Sequence, residues 1–108
     1  MGNRVLKESI RTSATIDGLN WFEEVFFYRL IVTADDYGCM DARPPLLRSA
    51  LFPTRTDVSP EQVSDALDRL ERLGLIVRYA CGGLPCLQLV SWSKHQKIRR
   101  PKHRYPTP

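Results

Sequence analysis

Closely spaced basic residues near the C-terminus form the clearest group of side chains that could do chemistry. Positions 94 to 108, here called the basic tail, hold six of the sixteen Lys and Arg residues and none of the twelve Asp and Glu residues. The tail therefore carries a formal charge of +6 and the rest of the chain −2. Cations spaced along an extended segment suit successive phosphates of a nucleic-acid backbone, so the tail predicts a polyanionic partner, with a purely solubilising role as the alternative. The predicted contacts are Lys94, His95, Lys97, Arg99, Arg100, Lys102 and Arg104.

Rings in the tail add a second kind of contact. His95, His103 and Tyr105 could stack on exposed bases. His95 has no Ser, Cys or acid placed to form a nucleophile pair with it. Asp35 and Asp36 are predicted to be a polar helix end, because no other acids stand at a metal-like spacing. We therefore expect a protein that is not an enzyme and that needs no cofactor or metal.

The three cysteines, Cys39, Cys81 and Cys86, are predicted to be buried or half-buried free thiols. Structural zinc sites usually have more closely spaced cysteine pairs. An odd cysteine count without an apolar N-terminal signal segment is typical of a reducing cytosol. No apolar run approaches the roughly twenty residues that span a bilayer, so we expect a cytoplasmic protein with no membrane partner.

The elements that must position these residues are predicted in the order helix, short strand, helix, helix, hairpin. Residues 1–18 are predicted to be an extended segment followed by a loop. The expected helices cover 21–34, 44–52 and 59–73, the short strand covers 39–42, and the hairpin strands cover 75–80 and 85–92 on either side of Gly82 and Gly83. Trp92 is expected to end the last strand and to pack on the core.

Two helices have distinct signatures. Asn20 and Glu23 can form a capping box at the start of helix 21–34, which is apolar on nearly every face and is therefore predicted to be central and well covered. Its aromatic excess is expected to be covered by the terminal segments, with a homodimer face as the alternative. Helix 59–73 has Ser59 as N-cap, Gln62 at the capping-box position and a continuous apolar stripe, and Gly74 ends it.

This order predicts an α+β, mainly α, winged helix-turn-helix domain over residues 1–93, with a β-hairpin wing. The chain resembles the N-terminal domain of bacteriophage and prophage replication-initiation proteins of the replisome-organiser type. The resemblance lies in residues 30–40 with Ala-Asp-Asp-Tyr-Gly at 34–38, in 63–76 with Leu-Glu-Arg-Leu-Gly-Leu-Ile at 70–76, and in Trp-Ser-Lys-His-Gln-Lys-Ile at 92–98 followed by Pro101. It implies DNA binding in phage replication, together with other replication proteins. Such proteins usually continue into a second domain, so the tail is expected to be a linker.

In a helix-turn-helix the second helix of the motif enters the major groove, led by its N-terminal residues. That helix is 59–73 here, and the contacts predicted outside the tail are Arg48, Arg55, Gln62, Ser64, Arg69, Arg72 and, on the wing, Arg78. Glu61, Asp65 and Asp68 oppose this interpretation because carboxylates repel phosphates. They leave two alternatives open, a winged helix that docks a basic protein and a transcription regulator of the same fold.

Overall fold

Helices and a small antiparallel sheet build the fold, and the computed structural model describes residues 3–108 of it. The helices are α1 (Ala14–Asp17), α2 (Trp21–Thr33), α3 (Pro44–Leu51), α4 (Pro60–Arg72) and α5 (Trp92–His95), with a 3-10 helix at Glu8–Thr12. The strands are β1 (Cys39–Asp41), β2 (Ile76–Cys81) and β3 (Leu84–Leu89). Together they make a compact α+β fold that is about 44% helical.

Both long helices begin at the capping boxes that the sequence predicts. The Asn20 side chain accepts a hydrogen bond from the Glu23 backbone N–H at 2.8 Å, and the Glu23 carboxylate accepts the Asn20 N–H at 2.9 Å. Ser59 and Gln62 make the same reciprocal pair at the start of α4, at 3.2 and 2.9 Å. Each box satisfies two N–H groups that a helix leaves unpaired at its first turn.

The three strands form one sheet in the order β1-β3-β2. The predicted hairpin is confirmed, because Gly82 and Gly83 both have positive φ, 59° and 82°, as a two-residue type I′ turn requires. The prediction that the last strand reaches Trp92 is wrong. β3 ends at Leu89, and Ser91, with φ of 61°, redirects the chain so that Trp92 begins α5. Trp92 still packs on the core, at 8% exposure.

The core lies between the helices and the inner face of the sheet. The apolar stripe of α4 points into it. The rings of Phe22, Phe26 and Phe52 form a triangle in which the centroids are 5.6, 6.2 and 6.5 Å apart. Burying one such side chain contributes about 1.5–3 kcal/mol. The fully buried apolar residues include Phe26, Leu30, Leu47, Val63, Leu67, Leu70, Ile76 and Leu87.

The prediction for the N-terminal segment is partly wrong. Residues 1 and 2 lie outside the described part of the chain, and residues 3–7 are irregular, but Glu8–Thr12 and Ala14–Asp17 are helical. The Ser13 hydroxyl accepts the Ile16 N–H at 3.3 Å, which caps α1. Ile16 is 5% exposed and belongs to the core. The single turn therefore forms because its cap and one buried side chain stabilise it, although it shows no apolar periodicity.

The prediction that helix 21–34 is well covered is also wrong on one side. Trp21 is 83% exposed, and Val25 and Val32 on the same face of α2 are exposed as well. The N-terminal segment does lie near α2, where it shares with Phe27 a cavity of about 260 Å³. The outer face of α2 is exposed to solvent, so a homodimer formed through this face stays an alternative.

Candidate nucleic-acid interface

The basic tail begins in a helical turn that is hydrogen-bonded to the loop after α2 and to the N-terminal segment. The Trp92 indole N–H donates to the Asp36 carbonyl at 2.8 Å. The Gln96 side chain accepts the Val5 N–H at 3.0 Å and donates to the Val5 carbonyl at 2.8 Å. The predicted domain boundary between 93 and 94 falls inside this turn, α5. The expectation of a wholly extended tail therefore fails at its first residues, because Trp92 and Gln96 are both buried against the body.

Two adjacent carboxylates then hold the tail by its backbone. The Lys102 N–H donates to Asp36 Oδ2 at 3.1 Å, and the Arg104 and Tyr105 N–H groups donate to Asp35 Oδ2 at 3.0 Å each. Asp36 also receives the Arg4 guanidinium at 3.0 Å. The Lys102 N–H, and after it Arg4, lower the pKa of Asp36. The Asp-Asp pair is thus the anchor of the tail as well as a helix end.

The loop after α2 holds the Asp35 carboxylate in place and brings Gly38 against Trp92. Asp35 is 1% exposed, and its Oδ1 accepts the Tyr37 and Cys39 N–H groups at 2.9 Å. Gly38 follows with φ of 80°, and a Cβ there would lie 2.8 Å from the Trp92 ring. Glycine is needed at this position for its backbone conformation and for the close approach of the indole.

Side chains and backbone of the anchored segment also contact Tyr37, the core and β2. The His103 ring stacks on Tyr37, with centroids 3.6 Å apart and an interplanar angle of 3°. Tyr105 packs partly buried against the core, and the Tyr79 hydroxyl donates to the Pro106 carbonyl. Burial raises the pKa of the Tyr79 hydroxyl well above its usual range. The tail therefore follows a defined path from α5 to the β2–β3 hairpin.

The predicted tail cations point away from these contacts. All seven predicted tail positions are exposed. Within residues 3–108, the side chains of six of them take part in no hydrogen bond or ion pair, namely Lys94, His95, Lys97, Arg99, Arg100 and Lys102. Arg104 is exposed and has an interaction of its own. Because the anchors are backbone N–H groups, the side chains of these six residues remain available for a ligand.

Most predicted contacts outside the tail serve the fold. Arg48 donates to the Val58 carbonyl at 2.9 Å and to the Arg55 carbonyl, which braces the turn before α4. Arg55 pairs with Asp57 at 2.9 Å, and Arg69 donates to the Gly18 carbonyl at 3.1 Å. Arg48 and Arg69 thus join neighbouring segments of the body, and Arg55 pairs within its own turn.

Arg78 of β2, predicted as a wing contact, has the same kind of role. Arg78 lies 2.7 Å from both Asp68 and Glu71 of α4. Glu71 is the stronger of the two causes that raise the pKa of Arg78, and the pKa of Glu71 is lowered in return. The pairing fixes the hairpin against α4 and neutralises part of the acidic surface on which the sequence argument against groove binding relied.

The remaining predicted contacts lie at the two ends of α4. The Gln62 carbonyl oxygen is used in the capping box, and Ser64 is half-buried. Arg72 is exposed, and its side chain has no partner among the described residues. Glu61 and Asp65 remain exposed near the leading end of α4. The structure thus brings the free cations together along the tail and not on the predicted groove-entering end.

The sequence argument did not predict the roles of four residues that shape this surface, namely Asp35, Asp36, Tyr37 and Arg4. Arg4 is 2% exposed on its side chain and lies over the Trp92 ring, with its guanidinium carbon 5.2 Å from the ring centroid. An Asp pair before a glycine gives no local sign of a partner far along the chain. Only the buried state of Asp35 reveals it, and burial is a tertiary property.

The cysteines agree with their prediction as free thiols. Cys39 and Cys86 are buried and Cys81 is half-buried. Burial raises the pKa of the Cys39 and Cys86 thiols. Among residues 3–108, no three His, Cys, Asp or Glu side chains are grouped as metal ligands would be.

Comparison with known proteins adds no relative. No protein-family model, curated protein or solved structure matches the chain. Across the described residues, no helix combines the length and the apolar character that crossing a membrane requires.

Proposed function

We propose that this protein is a non-catalytic, cytoplasmic DNA-binding module with a winged-helix fold, and that the basic tail supplies most of its phosphate contacts. One observation carries the proposal. The tail backbone is held by Asp35 and Asp36, while the side chains of Lys97, Arg99, Arg100 and Lys102 are exposed and unpaired within the described chain.

The winged-helix assignment is supported by element order and pairing. The elements α2, β1, α3, α4 and the β2–β3 hairpin follow the order that the sequence predicts. The sheet order β1-β3-β2 sets the returning hairpin strand beside the short strand, and the α3–α4 pair provides the helix-turn-helix. In this fold α4 is the groove-entering helix.

An anchored tail favours binding because much of the ordering cost is already met in the free protein. Immobilising one long, flexible side chain costs roughly 0.5–1.5 kcal/mol on association, and backbone ordering adds to this. With the backbone fixed by three N–H donors, only the cationic side chains must be ordered when phosphates bind. Release of counterions from the DNA then drives the association.

The replication role is supported by the resemblance of three sequence segments to phage replication-initiation proteins, which also makes other replication proteins its expected partners. A docking function is the second candidate. The exposed Glu61 and Asp65 at the leading end of α4 favour it, since they repel phosphates and would attract a basic protein. A transcription regulator of the same fold is left as an alternative.

The test is a titration of duplex and single-stranded DNA at several salt concentrations. Each phosphate contact contributes about 0.9 to the slope of log affinity against log salt for duplex DNA. The pair Arg99→Gln/Arg100→Gln should therefore lower the slope by up to about 1.8. The charge-matched pair Lys7→Gln/Arg11→Gln, which alters exposed cations of the N-terminal segment and none of the predicted contacts, should change it little.

Two results would overturn the proposal. One is an affinity that does not depend on salt, and the other is an equal loss of slope in the matched control pair. If the intact chain binds no DNA while a basic protein or peptide binds and is lost on Glu61→Gln/Asp65→Asn substitution, the docking function replaces it.

A further inference from the structure

Tyr37 and His103 make an aromatic platform in the middle of the basic tail. Their rings are parallel within 3° and 3.6 Å apart. Tyr37 is half-buried and forms the inner ring, and His103 is exposed and forms the outer one. One face of the imidazole rests on Tyr37, so its other face is directed to solvent. An exposed flat ring of this kind is what a nucleobase stacks on.

The platform is rigid on both sides. The Tyr37 N–H donates to Asp35 at 2.9 Å, and the Tyr37 carbonyl accepts the Gln88 amide N–H at 3.1 Å. His103 lies between the Lys102 and Arg104 N–H groups, which are both held by carboxylates. A base would therefore meet a ring that is already in position.

The charges around the platform suit a nucleic-acid strand. The Lys102 side chain next to His103 is exposed and unpaired within residues 3–108, and Arg100 precedes it by two residues. The carboxylates beneath are shielded, because Asp35 is 1% exposed and the charge of Asp36 faces Arg4 at 3.0 Å. Phosphates could therefore follow the tail while one base lies on the imidazole.

We propose that the Tyr37–His103 pair is a stacking site for an unpaired base, and that the basic tail consequently prefers single-stranded DNA to duplex DNA. This rests on the proposed DNA-binding function and specifies its ligand. In a duplex each base face is covered by its neighbours in the stack, so only phosphates can use the tail. In a single strand a base can leave its neighbours and stack on a protein ring.

The experiment compares a fluorescein-labelled twelve-nucleotide single strand with the matching duplex at one fixed salt concentration. The full chain should bind the single strand more tightly. His103→Ala should weaken single-strand binding about 5-fold or more, the effect expected for one base–ring stack, and should change duplex binding less than two-fold. His103→Phe should retain the preference, because it keeps a ring on Tyr37. Trp21→Ala, which removes an exposed ring on the outer face of α2, should leave both affinities unchanged.

A strand with 2-aminopurine in place of one adenine reports the stack directly. Its fluorescence should be quenched on binding to the full chain and to the Phe variant, and not on binding to the Ala variant. Salt-dependent binding with equal affinity for both DNA forms, or equal losses for both in His103→Ala, would overturn the stacking site and leave the proposed function standing. Failure of the intact chain to bind either DNA would overturn both.

Discussion

Replacing Asp35 by asparagine should detach the end of the basic tail while leaving the body folded. The carboxylate serves two sides, with Oδ1 accepting the Tyr37 and Cys39 N–H groups and Oδ2 accepting those of Arg104 and Tyr105. An asparagine side chain has one carbonyl oxygen and one NH2 group. The oxygen will stay with the loop, because Cys39 is fully buried, and the NH2 group will then face the two tail donors.

The loss of stability in Asp35→Asn follows from the two hydrogen bonds to the tail that it removes. Two hydrogen bonds to a charged acceptor contribute about 1.5–3 kcal/mol each. The released tail amides are solvated and the freed residues regain conformational entropy, so we expect the free energy of unfolding to fall by about 1–3 kcal/mol. Asp35→Ala should cost more, because it also leaves the loop donors at Tyr37 and Cys39 unpaired, at about 1–3 kcal/mol for each.

Urea unfolding and amide hydrogen exchange measure the two parts separately. Asp35→Asn should abolish exchange protection at the Arg104 and Tyr105 amides and keep it at Cys39. Deleting residues 102–108 should destabilise the chain by more, because it also removes the Lys102–Asp36 hydrogen bond and the packing of Tyr105. Asp35→Asn in the shortened chain should add little, because the tail bonds that it breaks are already gone. Additive losses, or full protection at Arg104 in the Asn variant, would refute the view that Asp35 anchors the tail.

Two further predictions concern the same loop. Gly38→Ala should lower the free energy of unfolding in urea by about 2–5 kcal/mol, because it combines left-handed strain with a clash against Trp92. Gly83 also has a positive φ, 82°, but no atom lies within 4 Å of the new Cβ, so Gly83→Ala should cost only the strain of about 1–2 kcal/mol. Equal losses for the two variants would contradict the close contact of Gly38 with Trp92. The folded pKa of Asp36 lies below its ordinary 3.8, so its stabilisation is complete above that pH and is lost as pH falls through the folded value. Asp36→Asn should therefore reduce the loss of stability as pH falls below about 3.8, and an unchanged acid slope would count against the pairing.

The parts of the fold that the sequence predicts are those with local signals. Asn20, Ser59 and the Gly82–Gly83 turn act on residues within a few positions, so the helix starts and the hairpin could be inferred before any tertiary contact was known. The sequence did not predict α1, because this turn is stabilised by one cap and the buried Ile16 and has no periodic apolar pattern.

The candidate site depends on contacts between distant segments. Asp35 and Arg104 are 69 positions apart, and nothing near either residue specifies the other. The same applies to Arg78, whose acceptors lie on α4. Charge counting found the tail cations, but it could not separate them from arginines such as Arg48 that brace the body.

Asp36 gives the two chain ends a common acceptor, since Arg4 and the Lys102 N–H both bind its carboxylate. If the tail detaches, the buried Arg4 charge is less well compensated by Asp36. If Arg4 is displaced, the Asp36 carboxylate holds the Lys102 N–H less strongly. Such coupling is reciprocal by thermodynamic necessity. A ligand that stabilises the anchored tail must therefore also stabilise the N-terminal segment around Arg4. A substitution at Arg4 should accordingly change the affinity of a tail ligand that does not contact Arg4.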